Sequence, residues 1–228
     1  MTVPPADGAV DPRLLGRPVR RIAYDETAIA ERVAELGDEI TAAYPDGELL
    51  VLGLLKGSFI FLSDLVRRIH RPLQVDFLVA ASYGAGTVSS GTVRLVYDPE
   101  TRLEGKHILL VEDIVDSGRT LSRLMGLLEQ RQPESLEICA LLHKHVATHL
   151  SREPRFVGFD APNEFLVGYG LDHAEDFRRL PYIASLQWSR PRSAAALGRN
   201  CETPWHRRRR PKAPTGAASP RTSPSGSS

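Results

Sequence analysis

The side chains best suited to chemistry cluster in one stretch, Val111-Glu-Asp-Ile-Val-Asp-Ser-Gly-Arg-Thr120. An apolar run over residues 107–111 ends in two adjacent carboxylates, Glu112 and Asp113. A third acid, Asp116, follows, and Ser117-Gly118-Arg119-Thr120 then opens a helical pattern. A helix start offers unpaired backbone amides and the positive end of a dipole, which together make a seat for a phosphate. Gly118 lets backbone come close to a ligand, and Ser117 and Thr120 add hydroxyl donors. Carboxylates beside a phosphate repel it unless they face the ligand's hydroxyls or a metal ion. Ribose hydroxyls donate well to carboxylates, and Mg²⁺ takes oxygen ligands while keeping several waters. The pattern therefore points to a sugar phosphate with free hydroxyls. A single carboxylate here would read equally well as a helix cap. The full pattern at a strand-to-helix junction does not reduce to that.

The elements that must hold this stretch follow from apolar spacing. A short strand over residues 19–23 leads to Asp25 or Thr27, either of which suits a helix N-cap. Ile29, Val33, Leu36 and Ile40 then share one helical face. Residues 49–55 form a continuous apolar run, the signature of a strand covered on both sides. Leu62, Leu65, Val66 and Ile69 mark a second helix. Residues 75–83 and 92–97 read as strands joined by the Gly- and Ser-rich 84–91. Leu121, Leu124, Met125 and Leu128 mark a third helix, and residues 136–142, 165–169 and 181–186 read as further strands. Such alternation predicts an α/β domain with a largely parallel sheet over residues 18–187.

Composition bounds the rest. Hydrophobic residues make up 42% and charged residues 25% of 228, the mix of a globular protein. No apolar run reaches the roughly 20 residues of a membrane span, and residues 1–17 read as a flexible N-terminus without a secretory pattern. Cys139 and Cys201 are too few for a disulfide framework, which favours a reducing, cytoplasmic setting. From Trp188 on, nine basic residues face one acid, so residues 188–228 carry +8 and residues 1–187 carry −7. The segment 188–228 is rich in Pro, Ser and Arg and has no Val, Ile, Phe, Tyr or Met. It reads as a disordered tail, because it cannot bury enough apolar area to offset its ordering entropy.

In these motifs the chain resembles the phosphoribosyltransferase family, and within it the hypoxanthine-guanine branch. Residues 111–120 look like that family's phosphoribosyl pyrophosphate motif. Leu55-Lys-Gly-Ser58 resembles its pyrophosphate loop, and Ser82-Tyr83-Gly84 the start of its mobile active-site loop. Leu141-Leu-His-Lys144 is similar to the strand bearing the base-recognising lysine. Phe165-Leu-Val-Gly-Tyr-Gly-Leu-Asp172, followed by Phe177-Arg178, is similar to the purine-binding segment. Five segments in the same order are far more specific than any one of them. The resemblance implies a largely parallel sheet flanked by helices, with a small hood. It implies an enzyme of purine salvage that joins phosphoribosyl pyrophosphate to a 6-oxopurine, hypoxanthine first and guanine as a further substrate, in a homodimer or homotetramer.

The same resemblance implies roles. Backbone amides of Asp116, Ser117, Gly118, Arg119 and Thr120 hold the 5′-phosphate. Glu112 and Asp113 meet the ribose hydroxyls directly or through Mg²⁺, and Asp172 helps bind a second Mg²⁺. Lys56 and Gly57 hold pyrophosphate, with a cis peptide before Lys56, and Arg178 also meets it. Phe165 stacks on the purine, the backbone of Leu166 reads its edge, Lys144 reads O6, and Asp116 assists proton movement at the base. Ser82 and Tyr83 begin the lid. Taken singly, Lys56 and Arg178 read as solvated charge and Phe165 as core; their joint order carries the assignment. His145 and His149 have helical i,i+4 spacing, but no acid completes a zinc signature.

Two other classes fit parts of the pattern. An enzyme of this fold could take another base, such as xanthine. A regulator of this fold could bind RNA, but it needs a basic face, and the −7 of residues 1–187 argues against one and against specific nucleic-acid binding. The tail gives the first test. A chain ending at Gln187 should fold and keep its kcat/KM for hypoxanthine at low and at moderate salt. A loss above about tenfold at both salts, roughly 1.4 kcal/mol, would place the tail inside the working enzyme.

Overall fold

The computed structural model describes residues 11–14, 19–82, 93–99, 101–145 and 150–186. The expected flexible N-terminus (apart from 11–14), Tyr83 and the 84–91 lid, His149, and the tail from 188 on lie outside these residues. Nine strands and three α-helices are present among those described, after a short 3-10 turn at Pro12–Leu14.

The main sheet has six strands: β2 (Leu49–Leu55), β3 (Gln74–Ser82), β4 (Val93–Tyr97), β5 (His107–Val115), β6 (Ser135–His143) and β7 (Phe156–Asp160). Their spatial order is β4-β3-β2-β5-β6-β7. All neighbours run parallel except β3 with β4. From β2 the chain works outward through β3 to β4. It then returns to the other side of β2 and works outward again through β5, β6 and β7. The crevice between the carboxyl ends of β2 and β5 is thus a topological switch point, where sheets of this kind bind ligands.

Helices cover both faces. α1 (Glu26–Ala43) starts at Asp25, whose side chain accepts from the Ala28 amide at 2.8 Å, so Asp25 is the cap and not Thr27. α1 buries Ile29, Val33, Leu36 and Ile40 against one face, with Phe61, Leu62 and Leu65 of α2 (Phe59–Val66) beside them. α2 is shorter than its apolar spacing predicts: Ile69 is buried but lies beyond the helix end. α3 (Arg119–Glu129) covers the other face with Leu121, Leu124, Met125 and Leu128 against Leu50, Leu52, Ile108 and Leu110. β2 is buried along nearly its whole length, as a strand covered on both sides must be.

Three differences from the sequence reading matter for the site. β5 does not stop at the carboxylates. It continues to Val115, because Glu112, Ile114 and Val115 pair with Ala140, Leu142 and His143 of β6. The segment expected as a strand over 165–169 supplies only β8 (Leu166–Val167), and it leaves the main sheet. It joins β9 (Ile183–Leu186) and β1 (Val19–Tyr24) in an antiparallel sheet of order β1-β9-β8, the hood. The hood has a small core of its own, with Val167, Phe177, Leu180 and Ala184. β7 went unread in the sequence. Arg32 of α1 holds it in place, donating to the Val157 and Gly158 carbonyls at 2.7 and 2.9 Å. Cys139 is a buried free thiol, as expected, and burial raises its pKa.

Leu124 is fully buried at the centre of the α3 contact. Leu124→Ala should lower the unfolding free energy by about 2–5 kcal/mol in urea denaturation. A loss below about 1 kcal/mol would show that α3 packs loosely on the sheet.

Candidate active site at the carboxyl ends of β2, β5 and β6

The sequence-predicted residues converge on the switch point from three strand ends and the hood. After β2 the chain turns through Leu55-Lys56-Gly57-Ser58. The Leu55–Lys56 peptide is cis, as the family resemblance implied. Ser58 is buried and its hydroxyl donates to the Leu54 carbonyl at 2.7 Å, closing the turn onto the strand it left. Gly57 lies directly against Asp113 of β5: a Cβ added there would stand 1.6 Å from Asp113 Oδ2. On the other side Gly170 lies against Gly57, where an added Cβ would stand 2.1 Å from the Gly57 carbonyl oxygen. The loop is clamped between the main sheet and the turn that follows β8.

The carboxylates of β5 are half-buried. Burial, with Asp113 beside it, raises the Glu112 pKa well above the usual range. Glu112 Oε2 finds no hydrogen-bond partner among the described residues. The Asp113 pKa is pushed up to about 6, chiefly by burial. Backbone hydrogen bonds, one from the Ile114 amide to Oδ1 at 2.9 Å, and the charge of Arg178 oppose that rise, while Asp172 adds to it.

Past Val115 the chain reaches Asp116 and Ser117, both exposed, and then Gly118, buried and left-handed at φ 73° at the N-cap of α3. The N-cap residue makes no side-chain hydrogen bond to this helix, and a helix start presents its backbone amides to a ligand's oxygens. Gly118 is required twice over: by its φ, and because a Cβ would meet Leu150 at 2.6 Å. Lys144, just past β6, is mostly buried along its stem, and its Nζ sits 3.2 Å from Asp116 Oδ2. The residues expected to read the base and to move its proton are therefore paired.

The hood delivers the rest. Phe165 is 42% exposed, large for an aromatic ring, and meets His173 edge-on at 5.2 Å. Leu166 is buried. Arg178 donates to the Gly170 carbonyl at 2.7 Å and pairs with Asp172 Oδ1 at 2.7 Å. Tyr169 donates to Asp64 of α2 at 2.7 Å, tying this turn to the body. Three site residues were missed in the sequence. Gly170 was legible as the second glycine of Gly168-Tyr-Gly170. His173 and Glu175 had no signal beyond their position between Asp172 and Arg178. Glu175 binds Lys56 through both oxygens, at 3.0 and 3.1 Å.

No group of three or more His, Cys, Asp or Glu among the described residues stands in metal-holding geometry. His145 instead pairs with Asp160 at 2.7 Å. The donor set Glu112, Asp113 and Asp172 is all oxygen and includes a buried, unpartnered carboxylate oxygen. That suits a hard cation that keeps waters and shares a ligand's oxygens, and not zinc.

Comparison with known proteins places this geometry. Residues 23–174 match the model of the phosphoribosyl transferase domain. A hypoxanthine-guanine phosphoribosyltransferase of Dictyostelium discoideum is 49% identical over 172 residues, covering 74% of this chain and 96% of that protein. A hypoxanthine phosphoribosyltransferase of Escherichia coli K12 is 44% identical over 167 residues, covering 72% and 94%. Among solved structures, a hypoxanthine phosphoribosyltransferase of Staphylococcus aureus superposes with a TM-score of 0.72 at 40% identity, covering 74% of this chain and 92% of that one.

The raised Asp113 pKa has a signed consequence. The folded state binds this proton more tightly than the unfolded chain, whose value is near 3.8. The stability so gained is full below about pH 4 and is lost as pH rises through about 6. In metal-free protein with excess chelator, the unfolding free energy should fall between about pH 4 and 6, and Asp113→Asn should flatten part of that fall. An unchanged slope would mean that Asp113 is solvated.

Proposed function

The chain belongs to the phosphoribosyltransferase family, and from that membership we propose that it is a purine-salvage enzyme transferring the 5-phosphoribosyl group of phosphoribosyl pyrophosphate to hypoxanthine. Guanine is a further substrate in this reading. The products are the nucleoside monophosphate and pyrophosphate. The Lys144–Asp116 pair beside the open N-terminus of α3 is the observation that carries the proposal, because it sets a base-reading group and a proton acceptor next to a phosphate seat.

Each role follows from what the side chain can do. The amides of 116–120 and the α3 dipole take the 5′-phosphate. Asp113 and Glu112 accept from ribose hydroxyls or hold a cation that bridges to them. Lys56 and Arg178 carry positive charge to the leaving pyrophosphate, with Gly57 keeping the loop close to Asp113. As the C–O bond to pyrophosphate breaks, the purine nitrogen bonds to the anomeric carbon and the base gives up a proton. Asp116 is the acceptor. Lys144 Nζ has only donors, so it selects the O6 of a 6-oxopurine over the amino group of adenine. When the base arrives, Lys144 turns from Asp116 to O6, leaving the carboxylate ready for the proton. Phe165 offers its exposed face for stacking.

Mg²⁺ is the cation these oxygens fit: Glu112 and Asp113 would hold one beside the ribose hydroxyls, and Asp172 would help hold a second, which would neutralise the charge that develops on pyrophosphate. We also read the protein as a homodimer or homotetramer. Val75 and Phe77 of β3 are exposed on one face, with Tyr97 of β4 and Phe59 of α2 exposed as well, and such a patch supports a contact between copies. No described helix is long and apolar enough to cross a membrane. The free thiol of Cys139 supports a cytoplasmic setting.

Steady-state assays with hypoxanthine, guanine, xanthine and adenine test the reading. Hypoxanthine turnover should require a divalent cation, and full activity in excess chelator would remove the metal. Asp116→Asn should lower kcat by about 10²-fold or more while phosphoribosyl pyrophosphate still binds. An unchanged kcat would take Asp116 out of the chemistry.

A further inference from the structure

The two cations assigned to pyrophosphate pair with a carboxylate of the chain itself. Lys56 Nζ lies 3.0 and 3.1 Å from the two oxygens of Glu175, and Arg178 lies 3.6 Å from one of them. Glu175 is presented by a left-handed run, with Ala174 at φ 53° and Glu175 at φ 64°. Its amide donates to Asp172 Oδ2 at 2.9 Å. The backbone is thereby fixed while the side chain, 68% exposed, is free to swing.

We propose that Glu175 is an internal counter-ion of the pyrophosphate site, closing on Lys56 and Arg178 when the site is empty and displaced when a diphosphate group enters. This rests on the phosphoribosyl transfer reading above. Glu175 sets how tightly the site holds diphosphate: a state in which the cations are already paired reduces the apparent affinity by the fraction so occupied. It also opposes product retention, since the carboxylate competes for the same cations as pyrophosphate leaves.

The rival role is a brace that holds the two cations in position. The geometry argues against it. Arg178 is already fixed by the Gly170 carbonyl and by Asp172, both at 2.7 Å. The Lys56 backbone belongs to a loop clamped between Asp113 and Gly170. Glu175 adds charge to groups whose places are set without it. The two roles predict opposite signs when that charge is removed.

The test is the affinity for inorganic pyrophosphate with Mg²⁺, by calorimetry, for the full chain and for Glu175→Gln and Glu175→Ala. Binding of the nucleoside monophosphate product serves as a control that does not reach Lys56. Both variants should hold pyrophosphate about three- to fivefold more tightly, the scale of an exposed ion pair. The gain should shrink as salt rises, with monophosphate affinity unchanged. Unchanged or weaker pyrophosphate binding in both variants overturns the proposal, and weaker binding makes Glu175 a brace. If the unsubstituted protein neither turns over hypoxanthine nor binds the monophosphate, the transfer reading itself has failed; if it does both while the variants bind pyrophosphate no more tightly, only the counter-ion has.

Discussion

The site depends on a contact that leaves no room for a side chain. Gly57 touches the carboxylate of Asp113, and Gly170 touches the Gly57 carbonyl. A Cβ at either glycine would overlap its neighbour by well over an ångström. Three pieces far apart in sequence are thereby stacked: the end of β5, the loop after β2, and the turn after β8. The stack fixes how far the hood stands from the main sheet, and hence the distance between Phe165 and the start of α3. Interiors packed this closely do not yield gradually, so the spacing is a property of the fold and does not wait for ligand.

Charge is arranged around this stack in a consistent order. The innermost groups are the half-buried carboxylates Glu112 and Asp113, both with raised pKa values. Arg178, its neighbour Asp172 and the Gly170 carbonyl come next, and Lys56 with Glu175 lies at the exposed mouth. Burying ionised carboxylates is unfavourable unless charge is brought to them. The inner pair is therefore the part of the site that stands to gain most from a cation and from ribose hydroxyls. The outer cations are balanced already. The half-buried acids thus lie inside and the exposed Lys56–Glu175 pair at the rim, where screening is strong.

Much of this was legible in the sequence, and the parts that were not have physical reasons. Continuous apolar runs gave β2, β5 and β6, because a strand covered on both faces has no polar side to hide. The four apolar positions of α3 were read from their spacing, and all four are buried. The polar Glu112 and Asp113 mimic a strand terminus in the sequence, whereas β5 runs on to Val115. The backbone ladder with β6 carries the strand past two half-buried acids, Glu112 and Asp113. β7 escaped because Phe156-Val-Gly-Phe-Asp160 is short and broken by a glycine, and what secures it is Arg32, distant in sequence. Glu175 escaped for a similar reason. Its partner Lys56 is 119 residues away, and no local pattern encodes a contact made by two loops.

The hood shows how one segment meets two demands. Leu166, Tyr169, Leu171 and Ile183 pack into the core shared with α1 and α2, whereas Val167, Phe177, Leu180 and Ala184 form a separate cluster. Leu166 and Val167 thus face different cores, as neighbours in a strand do, and the chain leaves strand geometry after Val167. It is instead a series of tight turns, with Gly168 and Gly170 at φ 101° and 104° and Tyr169 at 50°. Those turns are buried and bonded through their own amides, and they place Asp172, Glu175 and Arg178 over the loop after β2. A longer β8 would satisfy more ladder hydrogen bonds but would carry these side chains away from the crevice. The irregular backbone here is the structural condition for putting hood residues within reach of the same ligand as the sheet.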